Sequence, residues 1–286
     1  MNIVIGATGR VGTALVNELV KRDMPVLAIA RNKNKFAKFD SRVQCHIADV
    51  FDLDTLIKAF NGEDTVFLMT PENFHSNDVL GDAERMLEIY REVVYRTGVR
   101  RVIGLSSMGA HLEAGSGNLY ISHMLEQAFA GLPVETTFIR PAYYYSNWMN
   151  YIEVARTYGI LPTFFHPHKK IAMVSPGDVA CFAAIVMRSR KLSAPLYEIE
   201  GPKTYSAHDI ARFFSEYLKR EVTVQQIPQE QWIPTLTKAG FSPDAAHNMA
   251  LMTQAVMNTI SFGENTENKI IWNTEFEDFL GGQKTF

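Results

Sequence analysis

This chain of 286 residues is poor in cysteine: Cys45 and Cys181 are its only two, far apart and without CxxC spacing. That argues against a disulfide framework and leaves two reduced packing residues. Long hydrophobic runs are missing as well. The longest, "VACFAAIVM" at 179–187, falls far short of the roughly 20 residues a bilayer demands and reads as a buried helix. Charge of one sign is also lacking. The 28 Lys and Arg stand against 31 Asp and Glu, a net charge of -3, so bulk charge points to no nucleic-acid partner and no membrane surface. No low-complexity tract, Gly/Ser linker or internal repeat divides the sequence. "MNIVIG" enters a strand at once, which is not how a secretory leader begins, so cytoplasm is the expected location. The composition that remains, 47% apolar and 21% charged, is that of an ordinary globular protein with an ample core.

The first half alternates. Strand candidates "NIVIG" (2–6), "PVLAIA" (25–30), "VQCHIA" (43–48), "DTVFLMT" (64–70), "RVIGLSS" (101–107) and "VETTFIR" (134–140) are separated by helical patterns, the longest at 77–97. Such alternation predicts an α/β fold: a Rossmann-type doubly wound parallel sheet with helices on both faces. Past residue 150 the pattern turns mostly helical. Ser206 and Asp209 make a capping box, and Ser242 with Pro243 opens another helix. The expected division is a Rossmann domain at 1–150 and a smaller lobe at 151–286. The lobe is continuous with the domain, and its chain is free to cross back.

"IGATGRVGTALV" (5–16) joins the first strand to the first helix. In that setting Gly6 permits a tight turn, Gly9 lets a pyrophosphate approach the main chain, and Gly12 lets helix and strand pack closely. The helix amino end adds free N–H groups and a positive dipole. A carboxylate about 20 residues on would hold a free ribose hydroxyl. Arg31 stands there instead, followed by Lys33 and Lys35. A guanidinium suits a 2'-phosphate, so NADP(H) is expected over NAD(H).

"GATGRVG", "IARN", "ADVFD", "FIRPAYYYSNW", "EGPKTYSAHDIA" and "FEDFL" together resemble the NmrA-like group of atypical short-chain dehydrogenase/reductases, across almost the whole chain. The nearest likeness is to its NAD(P)H:quinone oxidoreductase-like members. The resemblance implies that Gly6, Thr8, Gly9, Arg10 and Val11 form the pyrophosphate loop and that Arg31 meets the 2'-phosphate. It places Asp49 and Val50 beside the adenine, Thr70 and Pro71 by the ribose, Ser106 at the end of the fifth strand and Pro141 along the nicotinamide.

The catalytic pattern of ordinary short-chain dehydrogenases is absent. They set Tyr and Lys four residues apart on one helix face, where the ammonium activates the phenol. None of the 11 tyrosines here has Lys four residues later; Tyr120 comes nearest, with Met124 in that slot. The family's Lys or His three residues before a Glu corresponds to His123 and Glu126. Tyr120 lies one residue out of register with His123, a rotation of about 100°. Reversible alcohol oxidation needs that relay, and so does the epimerisation of a nucleoside-diphosphate sugar. Hydride transfer to a quinone or similar aromatic acceptor needs less. His123 is the expected proton donor or cofactor-orienting group, with Ser106 and Tyr120 as further catalytic candidates. Phe74 and His75 on one side, and Tyr143, Tyr144 and Trp148 on the other, are the expected acceptor pocket. His166 and His168 lack companion ligands, so no metal is expected. A binding protein that senses the dinucleotide and signals through a protein partner fits the missing pair equally well. A homodimer remains open as the assembly.

Overall fold

The computed structural model describes residues 1–60, 65–189, 191–192, 194–258 and 267–282. Its first half runs β1 (Asn2–Ile5), α1 (Arg10–Lys21), β2 (Val26–Ala30), β3 (Gln44–Ile47), α2 (Leu53–Ala59), β4 (Thr65–Leu68), α3 (Val79–Thr97), β5 (Arg101–Leu105), α4 (Leu119–Gln127) and β6 (Glu135–Pro141). All six expected strands are present, with ends moved by at most two residues. Asp64, the expected start of the fourth, lies outside the described residues. β1 stops at Ile5 because Gly6 turns the chain with φ of +68°, a conformation that costs glycine little.

The second half contributes β7 (Tyr143–Tyr144), α5 (Tyr145–Trp148), α6 (Ile152–Tyr158), β8 (Ile160–Thr163), β9 (Ile171–Val174), α7 (Pro176–Arg188) and β10 (Leu196–Glu200). β11 (Thr204–Tyr205), α8 (Ala207–Leu218), β12 (Thr223–Gln226), α9 (Trp232–Lys238), α10 (Pro243–Asn258), β13 (Lys269–Ile271) and α11 (Phe276–Gly281) complete it. The capping box of Ser206 and Asp209 starts α8. Ser242 Oγ accepts from Ala245 N–H at the start of α10. "VACFAAIVM" lies within α7 and is almost wholly buried.

Eight strands form one sheet in the order β13-β10-β6-β5-β4-β1-β2-β3, every pairing parallel. Alternate side chains feed two cores. Val4, Ala28, Phe67, Ile103 and Ile139 meet α1 and α7 on one face. Ile3, Ile5, Ile29, Val66 and Val102 meet α2, α3 and α4 on the other. Both faces are therefore covered, as a parallel sheet requires. Each fully buried aliphatic side chain, such as Leu15 or Leu19 of α1, contributes about 1.5–3 kcal/mol. The chain crosses back after residue 150: α7 packs beside α1, and β10 and β13 extend the sheet beyond β6. Between them a third core gathers Tyr145, Trp148, Phe165, Met173, Phe214 and Phe276. No described helix is long and apolar enough to cross a membrane.

Several contacts hold the segment before α11, among them one to a buried carboxyl. Thr274 Oγ1 donates to Asp178 Oδ1 at 2.9 Å, pinning the segment before α11 to the first turn of α7. Burial pushes the Asp178 carboxyl up to about 6, against the pull of that hydrogen bond. Because its folded-state value exceeds the unfolded one, protonated Asp178 favours the fold. That contribution is complete below the unfolded value near 3.8 and is lost as pH rises through about 6. Asp178→Asn, which keeps an acceptor for Thr274, should therefore raise the melting temperature at pH 8 and leave it nearly unchanged at pH 4. Melts at the two pH values check this; an equal shift at both would refute the assignment.

Candidate functional site

β1 is flanked by β2 on one side and β4 on the other, so the strand order reverses at its carboxyl end. Ligands of open α/β sheets bind at such a point. A cavity of about 330 Å³ opens there, walled by Gly6, Thr8, Gly9, Arg31, Val50, Phe51, Thr70, Pro71 and Glu72, among others. Seven of the residues expected to hold a dinucleotide thus line one cavity: Gly6, Thr8, Gly9, Arg31, Val50, Thr70 and Pro71.

The glycines act through different atoms. Gly9 N–H closes a turn on Gly6 O at 3.0 Å. Gly9 also precedes α1 with no side-chain cap, so the first N–H groups of that helix are free for an anion. A Cβ on Gly12 would meet Ala7 Cα at 2.9 Å and collide with the carbonyl of Gly6; Gly12 is a packing glycine, not a ligand. Val11 is buried in the α1 core. Arg10 stays in the loop through its main chain, as the first residue of α1. Its guanidinium donates to Ser146 O and to Asn150 Oδ1, both at 2.9 Å, tying the loop to the segment after β6 rather than lining the cavity. Asp49 Oδ1 accepts from Phe51 N–H and shapes the turn after β3 that brings Val50 and Phe51 to the cavity.

Arg31 is exposed, and among the described residues no carboxylate pairs with it. A second cation, which the sequence pattern did not single out, lies against the glycine loop. Lys38 Nζ donates to Thr13 Oγ1 at 2.8 Å and to Thr8 O at 3.3 Å. Partial desolvation, with Lys35 adding to it, lowers its pKa. The signal lay in the basic spacing 31, 33, 35, 38, but the short 3-10 turn over Lys33–Lys38 was needed to bend Lys38 back. The glycine cradle, the uncapped helix start and these two cations fit a phosphorylated dinucleotide.

Several expected catalytic and pocket residues sit elsewhere. Ser106 is 5% exposed, and its hydroxyl donates to Glu126 Oε1 at 2.5 Å. Glu126 is itself held by Arg140, Nε to Oε1 at 2.8 Å and Nη2 to Oε2 at 2.6 Å. A carboxylate so paired only accepts, so the single Ser106 proton is committed inward. His123 stacks on Tyr120 with centroids 5.4 Å apart. Its Nδ1 lies 3.1 Å from Ala110 O; a carbonyl only accepts, so Nδ1 carries the hydrogen and Nε2 is the nitrogen left for exchange. Pro141 is buried, and its carbonyl accepts from Met108 N–H, joining β6 to the loop after β5.

The aromatic expectations need the largest correction. Trp148, 2% exposed, gives its indole N–H to Met173 Sδ and belongs to the third core. Tyr143 packs edge-on against Trp148 and Phe165. Tyr144 packs on the α7 side, its hydroxyl buried without a hydrogen-bond partner; burial raises both phenols. Phe74 stacks on Phe241 at 4.7 Å, and His75 Nδ1 meets Gly240 O at 3.0 Å, so both dock the loop after β4 onto the turn before α10. The third core and this docking claim rings that a sequence pattern can only assign to a pocket. His208 stacks on His168 at 4.6 Å. Among the described residues no group of three or more His, Cys, Asp or Glu is arranged to hold a metal.

A family model described as NAD(P)H-binding matches residues 6–148. NAD(P)H azoreductase of Xenophilus azovorans is 25% identical over 255 residues, 87% of this chain and 85% of that protein. Quinone oxidoreductase 2 of Escherichia coli (strain K12) is 22% identical over 253 residues, 87% and 85% of the two chains. Triphenylmethane reductase of Citrobacter sp., solved as a complex with NADP(H), superposes with a TM-score of 0.82 at 20% identity, covering 98% of this chain and 99% of that one. That superposition concerns the fold.

Proposed function

Since the chain belongs to the NAD(P)H-binding family, we propose that it is an NADPH-dependent oxidoreductase passing hydride to a quinone-like or other aromatic acceptor. The observation that carries the reading is Arg31, an exposed guanidinium with no ion pair among the described residues, lining the same cavity as Gly6, Thr8 and Gly9. Arg31 and Lys38 hold the 2'-phosphate, the start of α1 and its glycine loop hold the pyrophosphate, Asp49 and Val50 border the adenine, and Thr70 and Pro71 border the ribose. The activities named for the azoreductase and the quinone oxidoreductase support an aromatic acceptor.

Once bound, the reduced dinucleotide supplies the hydride. The chain's own part is to hold and protonate. His123, its Nδ1 fixed on Ala110 O, offers Nε2 as the exchangeable proton site. Ser106 keeps its hydrogen on Glu126 and acts by accepting a hydrogen bond, not by giving one. The third core, with β8, β9, β11 and α8 around it, forms the acceptor-side cover. The sequence has no Tyr with Lys four residues later, which favours acceptors that take hydride without prior protonation.

The test compares NADPH with NADH by titration in wild type and Arg31→Ala. Losing a charge-assisted phosphate contact should weaken NADPH binding by about tenfold or more and leave NADH unchanged. A wild-type preference for NADH would overturn the cofactor reading. Steady NADPH consumption with small quinones or azo dyes tests the reaction. Tight NADPH binding with no turnover across such a panel would favour a redox-sensing binding protein, a reading that the inward commitment of the Ser106 proton also supports.

A further inference from the structure

The cavity that receives the dinucleotide has a carboxyl on its wall. Glu72 follows Thr70 and Pro71 and lines the same space as Gly6, Gly9 and Arg31. Among the described residues no cation lies within salt-bridge reach of it. Its one hydrogen bond comes from a neutral group, Asn118 Nδ2, at 3.3 Å from Glu72 Oε1. The other end of that amide, Asn118 Oδ1, is buried without a partner. A carboxylate cannot serve it, but turning the amide over would set Oδ1 against a protonated carboxyl, which can donate.

The remaining titratable groups on the surrounding elements are already engaged or remote. Asp82 of α3, also on the cavity wall, accepts from Ser76 and Arg85, contacts that hold its pKa down. Asp78 pairs with Arg85. Asp244 of α10 accepts from Val79 N–H, His75 is bonded to Gly240 O, and His123 to Ala110 O. His247 and Glu113 are exposed. Glu72 is thus the carboxyl in the cavity that meets the arriving phosphates with no ion pair among the described residues.

We propose that Glu72 takes up a proton as the dinucleotide enters, so that this site binds an anionic cofactor and a proton together. The inference rests on the dinucleotide reading above and adds a residue to it. Glu72 is exposed, which gives the proton its route, although the protein atoms crowded around its carboxyl already raise it by desolvation. An entering polyanion closes the mouth and adds like charge; both effects favour the neutral acid. By linkage, affinity for the dinucleotide then falls as pH rises. The slope is at most about tenfold per pH unit, between the titration of Glu72 in the free and in the loaded protein.

Calorimetric titration with NADPH, and separately with NADH, in two buffers of different ionisation enthalpy reads the proton directly. Wild type should show buffer-dependent heats that correspond to net uptake. In Glu72→Gln the uptake should vanish and the fall of affinity with pH should flatten. The 2'-phosphate of NADPH sheds protons on pairing with Arg31, but it does so in both proteins and is absent from NADH, so the difference between wild type and variant isolates Glu72. His123→Gln should leave the uptake in place. Buffer-independent heats for NADH in wild type, or uptake retained in Glu72→Gln, would overturn the proposal while leaving the dinucleotide reading intact. No heat with either dinucleotide would overturn both.

Discussion

Gly12→Val should produce a chain that folds less stably and no longer retains dinucleotide. The position is not strained in φ; its constraint is space. A Cβ there meets Ala7 Cα at 2.9 Å and collides with the Gly6 carbonyl, and both are backbone atoms with no rotamer to change. Relief requires α1 to move away from β1, yet Val11, Leu15, Val16 and Leu19 seal that contact. Overpacking of this kind costs about 1–3 kcal/mol, or a fall of about 2–4 °C in melting temperature per kcal/mol for a chain of this size. The functional loss is larger than the loss of stability. The displaced backbone carries the turn in which Gly9 N–H meets Gly6 O and the free N–H groups that face the phosphates. Gly281→Ala is the control: its Cβ would meet nothing within 4 Å, and the change should be neutral or slightly stabilising. A thermal melt and an NADPH titration on both variants decide. Undiminished binding by Gly12→Val would mean that the loop is not the phosphate cradle.

What could be read from the sequence follows how local each constraint is. The glycine loop was legible because the spacing of 6, 9 and 12 states a backbone requirement that no other residue meets. Arg31 was legible because one side chain at one strand end carries the argument. Lys38 was not, since its approach to Thr8 and Thr13 depends on a turn that the sequence marks weakly. The aromatic run at 143–148 was misassigned for a related reason. It follows a strand end, where ligands bind, but β8, β9, β11 and α8 build a third core around it, and strands of two to four residues leave little alternating pattern to detect. Trp148 and Tyr145 went into that core. Phe74 and His75 were drawn to Phe241 and Gly240, residues more than 160 positions away. The charged cluster under Ser106 was hidden, because its members at 126, 140 and 198 meet only where α4 packs on β6 and β6 pairs with β10.

That cluster carries the other large expected effect. Arg140 and Glu198 are register partners across β6 and β10, and Arg140 Nη1 lies 3.7 Å from Glu198 Oε1 while the same guanidinium grips Glu126. Side-chain exposure is 10% for Arg140 and 2% for Glu198. Arg140→Met removes the cation that both buried carboxylates meet, and breaking such a group from one side costs about 3–5 kcal/mol. The pH dependence identifies the cause. The deficit is that of buried, unpaired negative charge, so it should be widest at neutral and alkaline pH and narrow in acid. Arg140→Met with Glu126→Gln and Glu198→Gln should recover most of the stability, since no uncompensated charge remains. His111 supplies an independent reading. Burial first, and then Arg140, lower its pKa, so Arg140→Met should raise it, which the ring resonances report in an NMR titration. A deficit that stayed constant with pH, or a triple variant no more stable than the single one, would mean that Arg140 contributes packing rather than charge. Ser106 would then owe its position to the strand alone and not to the carboxylate that accepts its proton.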